Sequence, residues 1–307
     1  MLLLIFPLFA ADYVYNNRLN YKECEREFVV NNLENISNDY VVIGSSRVLN
    51  AINPSQIYDK TQYTGLNLGF SGASLAENYL TLSHFLNYNK VNNVLLNVDI
   101  CSMLSPHIAY GRSFNCSYFL PYMNDEIILK ELYSLENPVK VALWKYIPFL
   151  KYAEFNNVYS FEKLFFRNYS VKNDFFKNNG FVAFKDMHSK KMVFNSDFTK
   201  QEYFTIDYST IDYLIKIIIL CKKNNVKIHF ISAPIYTPKY KVFNNANKCY
   251  DVIDSISKIN NINFYNFTSC YIAQDTNMLY DFSHLNLKGV NEFNLMLSDT
   301  ITKYFKK

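Results

Sequence analysis

Apolar residues occur along the chain in short continuous runs, separated by longer segments in which they recur every three or four positions. Five runs lie at 40–43, 64–68, 93–98, 226–232 and 262–267, each next to polar or turn-forming residues. Runs of this length with few polar interruptions are typical of strands that are buried on both faces. We therefore predict five strands that belong to a parallel sheet.

The segments between these runs show the spacing of amphipathic helices. Apolar side chains recur with this spacing in 75–86, 211–219, 246–259 and 290–304, and Ser74 is placed to cap the first helix. Strands and helices that alternate in this way predict a three-layer α/β/α fold built on about five parallel strands. Ligands of such sheets bind beyond the carboxyl ends of the strands, so the candidate chemistry is sought there.

The stretch 103–206 breaks the alternation. It is rich in Tyr and Phe and has no clear strand–helix–strand pattern. We interpret it as an aromatic-rich inserted subdomain. The main domain is then formed by 36–102 together with 207–307, and 1–35 is a separate N-terminal segment.

The N-terminal segment begins with an apolar run, 1–11, that is too short to span a bilayer by itself. It also lacks the basic residues that precede the apolar part of a signal peptide. We interpret it as the remnant of a signal anchor, which predicts a domain held at the cell envelope, outside the cytoplasm. The alternative is a hydrophobic segment that packs on a cytoplasmic domain.

Charge and cysteine content argue against nucleic-acid binding and against a metal site. The chain has 31 basic and 27 acidic residues without long basic runs, which is too weak a positive charge to predict nucleic-acid binding. Its six cysteines show neither a C-x-x-C pair nor zinc-ligand spacing. Buried thiols are the favoured interpretation, and we predict no metal site and no cofactor.

A serine pair follows the first predicted strand. Only seven glycines occur in the chain, and four of them lie within 44–72. Gly44 precedes Ser45 and Ser46, so a tight turn would hold a serine at the edge of the sheet, near helix-start amides that stabilise negative charge. The alternative is that both serines only cap the next turn.

His284 is the histidine best placed to activate that serine. It follows the last predicted strand, at the same sheet edge as Ser46, and Asp281 precedes it by three residues. A carboxylate at this spacing can orient the imidazole through its second nitrogen. Taken alone, the pair could be a helix-start Asp beside a surface His. Together with the serine turn it predicts a Ser46–His284–Asp281 triad.

These motifs resemble the GDSL/SGNH hydrolase superfamily, with the flavodoxin-like sheet of that family. The resemblance rests on Gly44-Ser45-Ser46, on the segment 67–72 (NLGFSG) and on Asp281-x-x-His284, and it covers 36–102 and 207–307. More narrowly, the chain is similar to the branch that acylates bacterial polysaccharides, including alginate acetylation proteins and the D-alanyl transfer protein of teichoic acid. The resemblance implies Ser46 as nucleophile and the amides of Ser46 and Gly72 as oxyanion-hole donors.

One block departs from the family pattern. The hydrolases carry Gly-x-Asn-Asp after the third strand, where the Asn side chain completes the oxyanion hole, whereas this chain has Asn97-Val98-Asp99. Loss of one such donor costs about 2.7–4 kcal/mol of transition-state stabilisation. Arg47, Asn97 and Asp99 are candidate substrate-binding groups, with an Arg47–Asp99 structural ion pair as the alternative.

The resemblance implies a serine esterase or O-acyltransferase, acting on a cell-surface or exported polysaccharide or a small acyl ester. Transfer would require an acyl donor, for which a membrane-bound protein is the expected partner. Trp144, Tyr146 and Tyr152 either stack on sugar rings or form the core of the insertion. Two other classes stay open: a catalytically weak scaffold component of polysaccharide biosynthesis, and a nucleotide or flavin binder, for which no phosphate-cradling glycine motif is found.

Overall fold

The computed structural model describes residues 2–21, 26–111, 114–161, 171–184, 205–238 and 246–305. The chain divides into two compact units, which we call the helical unit and the sheet unit. The helical unit comprises Met1–Asn35, Leu80–Asn89 and Phe114–Phe175. The sheet unit comprises Ile36–Tyr79, Lys90–Ser113 and Phe176–Lys307. The stretch predicted as one insertion, 103–206, is therefore shared between the units.

The sheet unit is built on five parallel strands. They are β1 Ser37–Ile43, β2 Gly65–Asn67, β3 Lys90–Asn97, β4 Lys227–Ser232 and β5 Asn263–Asn266. Their order is β2-β1-β3-β4-β5, and every pair of neighbours is parallel. The prediction of a parallel sheet of about five strands is confirmed, and this order is that of flavodoxin-like sheets.

The helices predicted from apolar spacing are all present. They are Leu75–Tyr88, Tyr208–Lys223, Ala246–Ile259 and Leu287–Tyr304. The spacing did not predict the helix Pro54–Thr61, which is short and begins with a proline after the capping residue Asn53. The other short helices described here are Ser46–Leu49, Pro106–Tyr110, Val171–Lys177 and the 3₁₀ turns Cys101–Met103, Tyr271–Gln274 and Thr276–Met278.

Helices cover both faces of the sheet. On one face, apolar residues of Pro54–Thr61 and Leu287–Tyr304 share a buried cluster with strand residues such as Val42 and Ile231. Because successive strand residues point to opposite faces, Phe264 lies on the other face, where Tyr250 of the helix Ala246–Ile259 stacks on it. The predicted three-layer α/β/α architecture is confirmed.

The helical unit has an aromatic core. Its helices are Leu2–Tyr21, Arg26–Asn31, Glu126–Leu135, Pro138–Tyr146, Leu150–Glu154, Asn156–Tyr159 and the 3₁₀ helix Cys116–Tyr122. Trp144 and Tyr152 are 2% and 1% exposed, so of the two roles considered for them they take the core role. Tyr146, by contrast, is 73% exposed.

The described residues also bear on two predictions from the sequence, the membrane anchor and the buried thiols. Within the described residues, no helix combines the length and the apolar character needed to cross a bilayer. The described cysteines are free thiols, three of them buried (Cys116, Cys221 and Cys249); Cys24 lies outside the described residues. Burial raises the pKa of the Cys221 and Cys249 thiols to about 12.

Candidate active site

The strand order indicates where a ligand would bind to the sheet unit. Because β1 lies between β2 and β3, the chain connections diverge there, and flavodoxin-like sheets bind ligands outside the carboxyl ends of the strands at this point. Ser46 follows β1, Gly72 follows β2 and Asp99 follows β3. The sequence-predicted residues therefore gather at the edge where this fold binds ligands.

The turn after β1 requires a glycine. A Cβ on Gly44 would lie 2.6 Å from Cβ of Asn97 and 2.7 Å from Cγ2 of Val48, so only glycine lets β1 end this close to β3. Ser45 then caps the helix Ser46–Leu49, its hydroxyl accepting from the amide of Arg47 at 3.4 Å. The capping role considered for both serines thus belongs to Ser45, and Ser46 opens the helix.

A continuous chain of contacts joins Ser46, His284 and Asp281. Oγ of Ser46 lies 2.9 Å from Nε2 of His284. Nδ1 of His284 lies 3.0 and 2.9 Å from the two carboxylate oxygens of Asp281. With the imidazole proton on Nδ1, His284 donates to Asp281 and accepts from the Ser46 hydroxyl, which is the arrangement that serine activation requires.

The Asp281 carboxylate is held in its ionised form. Its Oδ1 accepts from the amides of Ser283 at 2.6 Å and His284 at 2.9 Å. Burial acts to raise the pKa of this carboxyl, but the hydrogen bond and charge of His284 and the two amides outweigh it and hold the pKa below its ordinary value. A fixed negative charge therefore faces the far side of the imidazole.

Backbone hydrogen bonds within the loop that carries His284 hold its two ends together. The amide of Tyr280 donates to the carbonyl of His284 at 2.9 Å, and the amide of Asn286 donates to the carbonyl of Met278 at 3.1 Å. Asn286 also caps the last helix, where its Oδ1 accepts from the amide of Gly289 at 3.1 Å. The position of His284 is thus tied to the start of that helix.

The three candidate substrate-binding side chains are buried together. Arg47, Asp99 and Asn97 are 5%, 3% and 2% exposed. Nε of Arg47 lies 2.8 Å from Oδ2 of Asp99, in a charge pair that is not aligned as a hydrogen bond. Nδ2 of Asn97 donates to the same oxygen at 2.9 Å. This burial favours the structural alternative considered for the Arg47–Asp99 pair. The hydrogen bond to Asp99 engages the Asn97 amide nitrogen, the group that would have to donate in the oxyanion hole.

Gly72 lies in the turn that leads from β2 to the helix Leu75–Tyr88. Its φ of +68° is in the left-handed region, which glycine adopts without strain. Ser74 and Glu77 form a capping box at the helix start, where the Ser74 amide donates to Oε2 of Glu77 at 2.7 Å. The oxyanion role of the Gly72 amide stays a prediction.

Phe184 is an aromatic neighbour of the site that sequence reasoning missed. Its ring centroid lies 5.2 Å from that of His284, and the ring stacks on Tyr280 at 4.1 Å and 10°. The segment before it is anchored by the amide of Val182, which donates to the carbonyl of Leu49. Phe184 falls in the stretch interpreted as an insertion, and no local motif marks it.

Two of the three other described histidines are buried elsewhere in the molecule. His229 is buried in β4, as expected for a core histidine, and faces Asn93 at 3.3 Å and the Tyr265 hydroxyl at 3.2 Å. His84 belongs to the helical unit, where it contacts Asp125 at 3.3 Å beside a cavity of about 490 Å³.

Comparisons with known proteins assign no family. No family model matches the chain, and no curated protein matches it. Among solved structures, it is similar to a Bacteroides fragilis protein that is provisionally described as an acylhydrolase. The two share 9% identity over 87% of this chain and 88% of the other, with a TM-score of 0.39. Similarity of this degree carries neither a family nor an activity over to this chain.

Proposed function

We propose that the chain is a serine esterase or O-acyltransferase of the SGNH type that works through an acyl-serine intermediate. The observation that carries the proposal is the chain of contacts from Ser46 through His284 to Asp281, at the carboxyl edge of a parallel sheet. Three side chains from two distant parts of the sequence meet there with the geometry of a nucleophile, its base and the group that orients the base.

The proposed reaction has two steps. Nε2 of His284 accepts the proton of the Ser46 hydroxyl as Oγ attacks the ester carbonyl, and the imidazolium then protonates the departing alcohol, leaving an acyl-serine. Water or a sugar hydroxyl next attacks the acyl carbon and gives its proton to His284, which returns it to Oγ as the bond to Ser46 breaks. Amides of Ser46 and Gly72 stabilise the oxyanion in both steps.

For the substrate, we propose an O-acylated polysaccharide of the bacterial cell surface, with acetyl as the acyl group. The support is the resemblance of the motifs at 44–46, 67–72 and 281–284 to the polysaccharide-acylating branch. Transfer rather than hydrolysis would need an acyl donor, which we propose to be a membrane-bound protein.

The test is hydrolysis of p-nitrophenyl acetate by the wild type and by Ser46→Ala. We expect Ser46→Ala to lower kcat by a factor on the order of 10⁴ to 10⁶, because the nucleophile is lost. Ser255→Ala is the matched control, since Ser255 is an exposed serine of the same unit whose hydroxyl donates to the helix carbonyl of Asp251. A fluorophosphonate should label the wild type and Ser255→Ala but not Ser46→Ala. Equal turnover and labelling of all three proteins would contradict the proposal.

A second candidate is a catalytically weak scaffold component of polysaccharide biosynthesis. The observation in its favour is that the Asn97 amide nitrogen is directed to Asp99, which removes a side-chain donor from the oxyanion hole. A missing donor reduces transition-state stabilisation by about 2.7–4 kcal/mol. Near-zero ester turnover by both wild type and Ser46→Ala would support this candidate.

A further inference from the structure

The Arg47 side chain lies at the carboxyl edge of the sheet, yet the proposed mechanism gives it no role. Its guanidinium is buried at 5% exposure, so it is enclosed by protein rather than presented to a substrate. A buried cation is unfavourable unless it is paired and hydrogen-bonded. Its partners therefore show which parts of the molecule it holds.

Those partners follow three neighbouring strands. Nη2 donates to the carbonyl of Ala233 at 2.5 Å and lies 3.4 Å from that of Pro234, both just after β4. Nη1 donates at 3.2 Å to the carbonyl of Ser283, in the loop that follows β5. Nε faces the Asp99 carboxylate, which follows β3.

The contact with Ser283 reaches the proposed triad directly. Ser283 precedes His284 in the chain, and its amide donates to the carboxylate of Asp281. Arg47 itself follows Ser46 in the helix Ser46–Leu49. The guanidinium therefore joins the two backbone segments on either side of the contact between Ser46 Oγ and His284 Nε2.

Asp99 sets the orientation of the guanidinium. Its Oδ2 carries the charge that pairs with Arg47, and Nδ2 of Asn97 donates to the same oxygen. Its Oδ1 accepts from the amide of Ser102 at 3.1 Å. The carboxylate is thus held from both sides while it faces Arg47, so both ends of the ion pair are fixed.

We infer that Arg47, oriented by Asp99, is a positioning residue that holds the Asp281–His284 loop at hydrogen-bond distance from Ser46. The inference rests on the proposed function. A planar guanidinium can donate to several carbonyls at once, whereas the single ammonium of a lysine cannot occupy all of these positions. A positive charge alone is therefore not expected to hold the loop in place. Arg47→Lys keeps the charge but removes the planar set of donors, so it separates the effect of charge from that of geometry.

The experiment compares wild type, Arg47→Lys and the control Arg26→Lys with the neutral ester p-nitrophenyl acetate. Misplacement of catalytic groups by about 1 Å can cost on the order of 100-fold in rate, so we expect a loss of that size in kcat for Arg47→Lys with little change in KM. Arg26 contacts the Phe175 ring in the helical unit, and its variant should keep the wild-type kcat.

Two readouts separate positioning from loss of folded protein. A fluorophosphonate should label Arg47→Lys completely but slowly, whereas unfolding would lower the labelled fraction. Circular dichroism of Arg47→Lys should match that of the wild type, whereas loss of folded protein would reduce the signal. Wild-type kcat in Arg47→Lys, or a loss explained by the labelled fraction alone, would overturn the inference.

Two further measurements apply if Arg47→Lys does not fold or if the wild type shows no turnover. If Arg47→Lys does not fold, Asp99→Asn replaces it: a lower kcat with complete labelling supports the inference, and wild-type kcat overturns it. If the wild type shows no Ser46-dependent turnover, the proposed function fails. A crystal structure of Arg47→Lys then decides the positioning role, since an unchanged 2.9 Å contact between Ser46 Oγ and His284 Nε2 would overturn it.

Discussion

The side chains of the proposed triad are fixed by groups close to them in the chain. Asp281 accepts from the amides of the two residues that follow Phe282, and one of these amides belongs to His284. The same carboxylate also accepts from the imidazole. A single residue therefore orients the base and shapes the loop that carries it, so its substitution has a chemical and a local structural effect.

Replacement of Asp281 by Asn separates these effects. The amide still fills the space, but it can favour the wrong tautomer of His284, and we expect kcat for p-nitrophenyl acetate to fall on the order of 10⁴-fold. Asp275→Asn is the control, because Asp275 caps the neighbouring 3₁₀ turn through the amide of Asn277. Steady-state kinetics on both variants makes the comparison, and wild-type kcat in Asp281→Asn would exclude a role for the carboxylate.

At the level of elements, Asn286 joins the His284 loop to the helix Leu287–Tyr304. It caps the helix through Gly289, and its Nδ2 donates to the carbonyls of Asn277 at 2.9 Å and Leu279 at 3.2 Å. The residue is 4% exposed. Loss of this side chain would leave buried carbonyls without a donor, so both elements depend on one residue.

Asn286→Ala should lower the free energy of unfolding by about 2–3 kcal/mol, because a cap is lost and buried carbonyls lose their donor. The measurement is urea denaturation followed by circular dichroism. Asn277→Ala is the control: Asn277 is exposed, and its replacement should change the free energy by less than about 0.5 kcal/mol. A change of less than about 0.5 kcal/mol in Asn286→Ala would contradict the prediction.

For the molecule as a whole, the centre of the sheet contains an acid-sensitive group. Burial in β4, with a smaller contribution from the charge of Lys227, lowers the pKa of His229 to about 4. In the unfolded chain a histidine has a pKa of about 6.5. Between these values the unfolded state binds a proton that the folded state does not, so stability falls as the pH decreases through this range.

His229→Gln tests this coupling. Relative to the variant, the wild type should lose about 2 kcal/mol more of its unfolding free energy between pH 7.5 and pH 5. Above about pH 7 the histidine is neutral in both states, so its titration contributes nothing to the difference there. Urea denaturation at the two pH values measures it, with the exposed His107→Gln as control. The same pH dependence in wild type and His229→Gln would contradict the assignment.

The strands, and the positions of Ser46 and His284 at one edge of the sheet, could be predicted because their signals are local. Buried parallel strands are continuous apolar runs, and the residues that follow them must lie at the carboxyl edge of the sheet. Ser46 and His284 each follow such a run, which predicts that both lie at one edge of the sheet. The short helix Pro54–Thr61 was not predicted, because eight residues hold too few apolar positions to show a period.

The sequence by itself thus determined the sheet, its flanking helices and the edge at which Ser46, His284 and Asp281 lie. The tertiary structure decided the order of the strands, the partners of Arg47, the direction of the Asn97 amide and the contact of Phe184 with His284. The physical reason is the distance along the sequence between the residues that determine each feature. Periodicity and strand ends follow from neighbouring residues, whereas the buried guanidinium of Arg47 meets carbonyls 186 and 236 positions away only after the chain has folded.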